Sequence, residues 1–120
     1  MTQKVWTIAL GVLMTTAGLS HFMLTRKYLP IVPQFLPQRV GIVVVSGIIE
    51  LAAGLGLFFP ATRKDAALVV LALMIGFLPL HAWDLFRDRP AIGPHWVAAI
   101  RFGVQFLLIY WAWRVWRAGI

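Results

Sequence analysis

Residues 39–59 read RVGIVVVSGIIELAAGLGLFF, and how Glu50 survives in the middle of that run decides the fold. At ~1.5 Å per residue, a helix needs about 20 residues to cross a hydrocarbon core of ~30 Å, and this stretch has that length. Lipid offers nothing to unpaired backbone N–H and C=O groups, so such a stretch is helical. A charged side chain at its centre costs roughly 2.5–3.5 kcal/mol on insertion scales and calls for a partner or a polar cavity. Three further apolar stretches flank it, at about 4–24, 65–86 and 96–117, and the last contains a second intramembrane charge, Arg101. The reading is all-α: an integral membrane four-helix bundle forming a single transmembrane domain over residues 1–120.

Composition agrees. The chain has 120 residues, of which 61% are hydrophobic, and a mean hydropathy of +0.84, whereas soluble domains are usually about 45–50% apolar. Lys and Arg total 11 against 4 Asp and Glu, and most lie at the ends of the apolar runs; the exceptions are Glu50, Asp84, Arg101 and Arg114. The net charge of +7 is split among short loops and forms no basic face, which points to anionic lipid headgroups and away from nucleic acid. Zero cysteines exclude disulfide exchange, thiolate catalysis and Cys-ligated zinc or iron–sulfur centres within this chain.

The first apolar stretch has signal-peptide features, Lys4 before the run and Ala17-Gly18 within it. It is longer than the usual h-region of about 7–15 residues and ends in His21-Phe22, so it is read as a span. Short connections make neighbouring helices antiparallel. The longest, Thr25 to Gln38, carries Pro30, Pro33 and Pro37 with Tyr28, Phe35 and Leu36. Its prolines forbid a regular helix, and its apolar content predicts a lid folded back on the helix ends, or else an interfacial linker with aromatic anchors. Charge gives no topology: Lys4, Arg63, Lys64, Arg114 and Arg117 on one side balance Arg26, Lys27, Arg39, Arg87 and Arg89 on the other.

Polar residues collect in one half of the membrane. Ser20 and His21 end the first span; Ser46 and Glu50 lie roughly two and three turns into the second; Pro79, His81 and Asp84 are near the exit of the third; Arg101 and Gln105 occupy the first half of the fourth. Ser46, Glu50 and Gly54 recur every four residues, as do Arg101 and Gln105, so each set shares a helical face. Glu50 is roughly 16 Å and Arg101 roughly 8 Å below the same interface, and a direct or water-bridged pair extended by Gln105 and His21 would satisfy both. The candidate ligand-binding set is His21, Ser46, Glu50, His81, Arg101 and Gln105. A buried ion pair that fixes helix register, with serines bonded to their own helix, is the plainer alternative; the number of polar groups under a lid favours a pocket.

Other features read as structural. Gly11 and Gly18 in the first span, with Gly47, Gly54 and Gly56 in the second, permit close helix contact. Pro79 kinks the third span and frees a carbonyl, and Trp111, Trp113 and Trp116 with Arg114 and Arg117 anchor the last at an interface. His21 and His81 lie at similar depth, but without an H-x-x-x-H or carboxylate-rich pattern no metal site is expected and core histidines are. His95, at the start of the last span, is expected in water.

Gly18-Leu19-Ser20-His21-Phe22, Pro30-Ile31-Val32-Pro33 with Leu36-Pro37, Ser46-Gly47-Ile48-Ile49-Glu50 running through Gly54-Leu55-Gly56-Leu57 to Pro60 and Thr62-Arg63, and Arg101-Phe102-Gly103-Val104-Gln105 with Trp111-Ala112 together resemble the DoxX-like family of small membrane proteins. The resemblance covers nearly the whole chain. Two positions depart from it: Pro79-Leu80-His81 stands where the family often has Pro-x-Asn, and Gly103 where a proline usually follows the arginine. It implies a four-helix bundle with a polar site, in a bacterial inner membrane with both termini cytoplasmic. Relatives include a thiosulfate:quinone oxidoreductase subunit, redox-enzyme maturation proteins and a nicotinic acetylcholine receptor chaperone, so the resemblance fixes no activity.

Three functions follow. The first is an accessory or assembly factor without catalytic activity of its own, whose pocket holds an amphipathic small molecule, a lipid or a client helix through Glu50 and Arg101. The second is the quinone-binding subunit of an oxidoreductase, with quinone the one cofactor in view, where His21, Glu50 and Arg101 contact the ring. The third is a small transporter using Glu50, against which the permanent charge of Arg101 works. Small-residue faces permit a homodimer without requiring it.

Overall fold

The computed structural model describes residues 3–118 of the chain. They form α1 (Gln3–Met23), α2 (Thr25–Tyr28), a 3₁₀ turn (Leu29–Ile31), α3 (Arg39–Gly56), α4 (Arg63–Phe86) and α5 (His95–Ala118), with no strands among the described residues. The four long helices are each long and apolar enough to cross a membrane, and their outer faces carry large exposed apolar side chains such as Val12, Val45, Ile75 and Leu107. This is an integral membrane four-helix bundle. α1 packs most closely on α3 and α4 on α5; the two pairs meet chiefly through α3 and α4.

The α1–α3 seam is made of glycine. Between lipid-solvated helices there is little hydrophobic driving force, so association relies on close backbone approach. Gly11 and Gly18 on α1 oppose Gly54 and Gly47 on α3. A Cβ at Gly18 would lie 2.6 Å from the Leu51 amide nitrogen and 2.9 Å from the Gly47 carbonyl oxygen; one at Gly54 would lie 2.6 Å from the Thr15 nitrogen. The 7-residue spacing within each helix (11 to 18, 47 to 54) keeps both glycines on the contact face, being close to two helical turns. By contrast, added Cβ atoms at Gly76 on α4 and Gly103 on α5 would meet nothing within 4 Å.

The apolar core occupies the half of the bundle that holds the start of α1 and the end of α5, with Leu10, Met14, Leu57, Val70, Ala112 and Val115 enclosed. Trp111 seals it, donating Nε1–H to the Trp6 carbonyl at 3.0 Å and packing edge-on against the Trp6 ring at 5.9 Å. Trp111 thus joins α1 to α5, in addition to any interfacial role. Arg114 bonds the Tyr110 hydroxyl at 2.9 Å and Arg117 stacks over Trp113, as an interfacial belt would.

Two local expectations are corrected. The second span stops at Gly56, short of residue 59, because the carbonyls at its end find side-chain donors: Thr62 Oγ1 donates to Gly56 at 2.7 Å and Arg63 to Leu57 and Phe58 at 2.8 and 3.2 Å. Arg63 is therefore buried, at 6% exposure, and is no free loop charge. The proline-rich connection is not wholly irregular: Thr25–Tyr28 forms one α turn, and Pro30 sits at the start of the 3₁₀ turn, where its missing N–H costs nothing. His95 is exposed, as expected, while its Nε2 lies 2.8 Å from the Arg87 carbonyl oxygen of the preceding loop.

That connection lies over the end of the bundle, touching α3 and α4. Arginines from the helices hold its backbone. Arg39 donates to the Leu29 carbonyl at 2.6 Å and to Val32 at 3.0 and 3.2 Å, and Arg87 donates to Pro30 at 2.5 Å. Phe35 meets Trp83 edge-on at 5.4 Å. Replacing Arg39 by Gln removes the fork that binds two carbonyls together. We expect hydrogen exchange of residues 28–36 in the purified protein to accelerate about tenfold or more, consistent with loss of one or two charge-assisted bonds of roughly 1.5 kcal/mol each, while α4 and α5 keep their protection.

Candidate functional site

Beneath this cover, adjoining the apolar core at Met14, lies a cavity of about 320 Å³. All four long helices and the cover line it. Apolar walls come from Met14, Ile31, Val43, Phe77 and Leu108, and the polar groups that face it are His21, Tyr28, Ser46, Glu50, His81 and Arg101. Five of the six residues expected to form a site are thus gathered around one space.

The α1–α3 side carries an acid and an imidazole. Because Gly47 has no side chain, His21 reaches across the seam: a Cβ at Gly47 would lie 2.6 Å from His21 Cβ. His21 Nδ1 is 3.2 Å from Ser46 Oγ and 3.3 Å from the Val43 carbonyl oxygen, while Ser46 donates to Val43 at 2.9 Å. Its ring stacks at a tilt on Tyr28, 4.3 Å between centroids, and the Tyr28 hydroxyl is 2.5 Å from Ser20 Oγ. Nε2 then faces Glu50 Oε2 at 3.3 Å. The approach is close but is not aligned as a hydrogen bond, and Glu50 Oε2, on a residue only 4% exposed, has no hydrogen-bond partner among the described residues. Gly54, on the same face as Ser46 and Glu50 by spacing, belongs to the helix seam, as its small size led one to expect.

The α4–α5 side carries the cation. Arg101 Nη1 donates to Gln105 Oε1 at 2.9 Å, and Gln105 Nε2 donates to the Met74 carbonyl at 2.7 Å. Gln105 is completely enclosed and does not face the cavity; it is a brace that holds the guanidinium on α5 and ties α5 to α4. With five N–H donors on a guanidinium and this one directed at Gln105, Arg101 retains donors for the cavity. No direct Glu50–Arg101 contact occurs among the described residues, but the two groups expected to extend such a pair are in place, His21 3.3 Å from Glu50 and Gln105 2.9 Å from Arg101. Arg101 is anchored by its own helix neighbour, which holds it on the opposite wall.

His81 lines the cavity, half-buried. Asp84, its neighbour three residues on, does not. Both Asp84 oxygens turn to the α4–α5 loop, accepting from Ala91 N–H at 2.6 Å and Ile92 N–H at 3.4 Å, with Arg87 3.6 Å away. The loop turns back at Gly93, whose φ of 143° suits glycine. No group of three His, Asp or Glu side chains able to hold a metal occurs among the described residues.

Sequence reading passed over Tyr28, Arg39 and Arg87 as parts of the site. The available signal was physical: a proline-rich segment held on a helical bundle has carbonyls without helical partners, and arginines at the first turn of α3 and the end of α4 are the nearest donors.

A family model described as Domain of unknown function (DUF8561) matches residues 10–116. Comparison with curated proteins and with solved structures gives no match.

Proposed function

The chain belongs to the DUF8561 family, a domain of unknown function, and from its site geometry we propose that it is a membrane accessory or assembly factor whose pocket binds the polar head of an amphipathic, lipid-like molecule. One observation carries this reading. Glu50 Oε2 is a buried acceptor without a hydrogen-bond partner, and it borders a cavity that Arg101 faces from the opposite helix pair. A buried unsatisfied acceptor costs about 1–3 kcal/mol, which a bound molecule carrying a donor would recover. The apolar remainder of the wall suits the carbon skeleton. In this reading His21, Ser46, Glu50, His81 and Arg101 contact the ligand and Gln105 positions Arg101. On the same reading the chain acts without catalytic activity of its own, in a bacterial inner membrane, with both termini cytoplasmic as the resemblance to DoxX-like proteins implies.

Native mass spectrometry of protein extracted in mild detergent tests the proposal. A stoichiometric amphiphile is expected on the wild type and is expected to be lost from Glu50→Gln, which replaces one acceptor oxygen by a donor. A wild-type protein that flies empty from every detergent, at the mass of the chain alone, sinks it.

A quinone-binding subunit is the second reading, favoured by the opposed placement of polar groups: His21 and Arg101 lie on different helix pairs across one cavity, as a ring with two carbonyls would require. Recovery of stoichiometric quinone by solvent extraction selects this reading over a lipid. A client helix fits less well, because the cover held by Arg39 and Arg87 closes the end of the cavity.

A further inference from the structure

The cavity does not end at the polar groups. On the lipid-facing side of α3 and α4 lies a groove of about 460 Å³, floored by Ala72 and Gly76 and walled by Ile49 and Val69. Three side chains, Ile42, Phe77 and Leu80, line both the groove and the polar cavity. They form a shared wall between the open apolar groove and the polar chamber. The groove exists because α3 and α4 pack less closely than α1–α3 or α4–α5, and because Gly76 leaves its surroundings empty: a Cβ there would meet nothing within 4 Å.

Chamber and groove together match a particular shape of ligand. The chamber presents one carboxylate oxygen lacking a hydrogen-bond partner, Glu50 Oε2, and one guanidinium with donors to spare, Arg101. Opposite charges on opposite walls favour a head with a donor or cationic end and an acceptor or anionic end, and disfavour a simple anion, which would satisfy Arg101 while facing Glu50. The groove runs between two helices and has no polar side chain among its lining residues.

We propose that the ligand is a single-chain amphiphile with a dipolar or zwitterionic head, which enters laterally from the membrane between α3 and α4: its hydrocarbon chain lies in the Ala72–Gly76 groove and its head passes Ile42, Phe77 and Leu80 to reach Glu50 and Arg101. This rests on the pocket reading above and adds the ligand's shape, its polarity and its route.

A lysophosphatidylethanolamine carrying a photoreactive diazirine at mid-chain serves as the probe, with the protein in phosphatidylcholine nanodiscs and labelled sites mapped by peptide mass spectrometry. Labelling is expected to concentrate on residues 42–49 and 69–77. Gly76→Phe fills the groove and is expected to lower that labelling about tenfold, the effect of displacing two or more buried methylenes; Ile49→Trp, from the α3 side, acts in the same direction, so that misfolding of one variant does not decide the matter. Both variants are compared with wild type by circular dichroism and thermal melting. Labelling spread evenly over all lipid-facing helices and indifferent to both groove variants overturns the proposal. If Glu50→Gln still abolishes retention of the probe while the groove variants do not, the chamber stands and the lateral route falls; if none of the three has an effect, both fall. Equal labelling by a diazirine fatty acid of the same chain length overturns the dipolar head. A change of oligomeric state in Gly76→Phe with labelling unaltered assigns the groove to a second copy of the chain and likewise overturns the proposal.

Discussion

Gly18→Ala is expected to destabilise the protein by about 1–3 kcal/mol, and Gly18→Leu to prevent stable assembly of α1 on α3. The reason is that the neighbours of Gly18 are backbone atoms. The Cβ of alanine would stand 2.6 Å from the Leu51 nitrogen and 2.9 Å from the Gly47 oxygen, and backbone in a helix cannot turn aside as the end of a flexible side chain can. The helices must separate instead, which is the overpacking cost typical of filled interiors, and in lipid no hydrophobic effect between helices compensates. The sign is opposite to intrinsic propensity, which favours alanine over glycine in a helix by about 1 kcal/mol. Gly103→Ala, with nothing within 4 Å, exposes that intrinsic term and should be neutral or slightly stabilising. Equilibrium unfolding in mixed detergent micelles, followed by tryptophan fluorescence, separates the two. Equal behaviour of Gly18→Ala and Gly103→Ala contradicts the account of the seam.

A second consequence attaches to Gly47. Its missing side chain is what admits His21, so Gly47→Ala should disturb the site and the seam together, displacing the imidazole from Ser46 and Glu50 as well as parting the helices.

How much of this was legible in the sequence follows from the range of each interaction. Span length and helicity are fixed by the thickness of the bilayer and the need to pair every backbone group, so four spans could be placed to within a few residues. Clustering of His21, Ser46, Glu50, His81 and Arg101 was legible too, since depth in the membrane scales with position in the chain and antiparallel helices bring equal depths together. What periodicity could not supply was the rotation of each helix about its axis. Ser46, Glu50 and Gly54 share a face by spacing, yet the first two line the cavity while Gly54 packs against Thr15; a face a few residues wide serves both. The pairing of Glu50 was legible in part: His21 and Gln105 were expected to extend a Glu50–Arg101 pair, and each stands beside one of the two charges. Attraction between opposite charges favoured Arg101, but Arg101 is held by Gln105 one turn along its own helix, and the partner that did reach Glu50 depended on the absence of a side chain at Gly47. Arg63 shows the same limit: as sequence it is a loop cation, and only the geometry of the α3 end makes it a buried donor to Leu57 and Phe58.

Glu50→Leu is expected to abolish retention of the amphiphile while leaving the empty protein as stable as wild type or more so, and that combination distinguishes a binding site from a structural staple. In the empty protein Glu50 Oε2 has no hydrogen bond. Removing a buried acceptor that is already unsatisfied relieves a cost of about 1–3 kcal/mol, against which stands the loss of its charge contact with His21 at 3.3 Å; His21 is still held through Nδ1 by Ser46 and the Val43 carbonyl. Arg101→Leu behaves differently. It strips Gln105 Oε1 of its donor inside a fully enclosed setting, and leaving that acceptor unpaired should destabilise by about 1–3 kcal/mol in addition to weakening ligand retention. A staple predicts symmetry, because breaking a buried ion pair from either end strands the other charge at about 3–5 kcal/mol. A pocket whose two charges stand on opposite walls, each with its own local support, predicts asymmetry: Glu50 dispensable for folding and required for binding, Arg101 contributing to both. Unfolding midpoints of the delipidated variants, measured beside retention of the lysolipid probe, decide between the two, and a loss of about 3 kcal/mol or more in Glu50→Leu would assign Glu50 to the architecture rather than to the ligand.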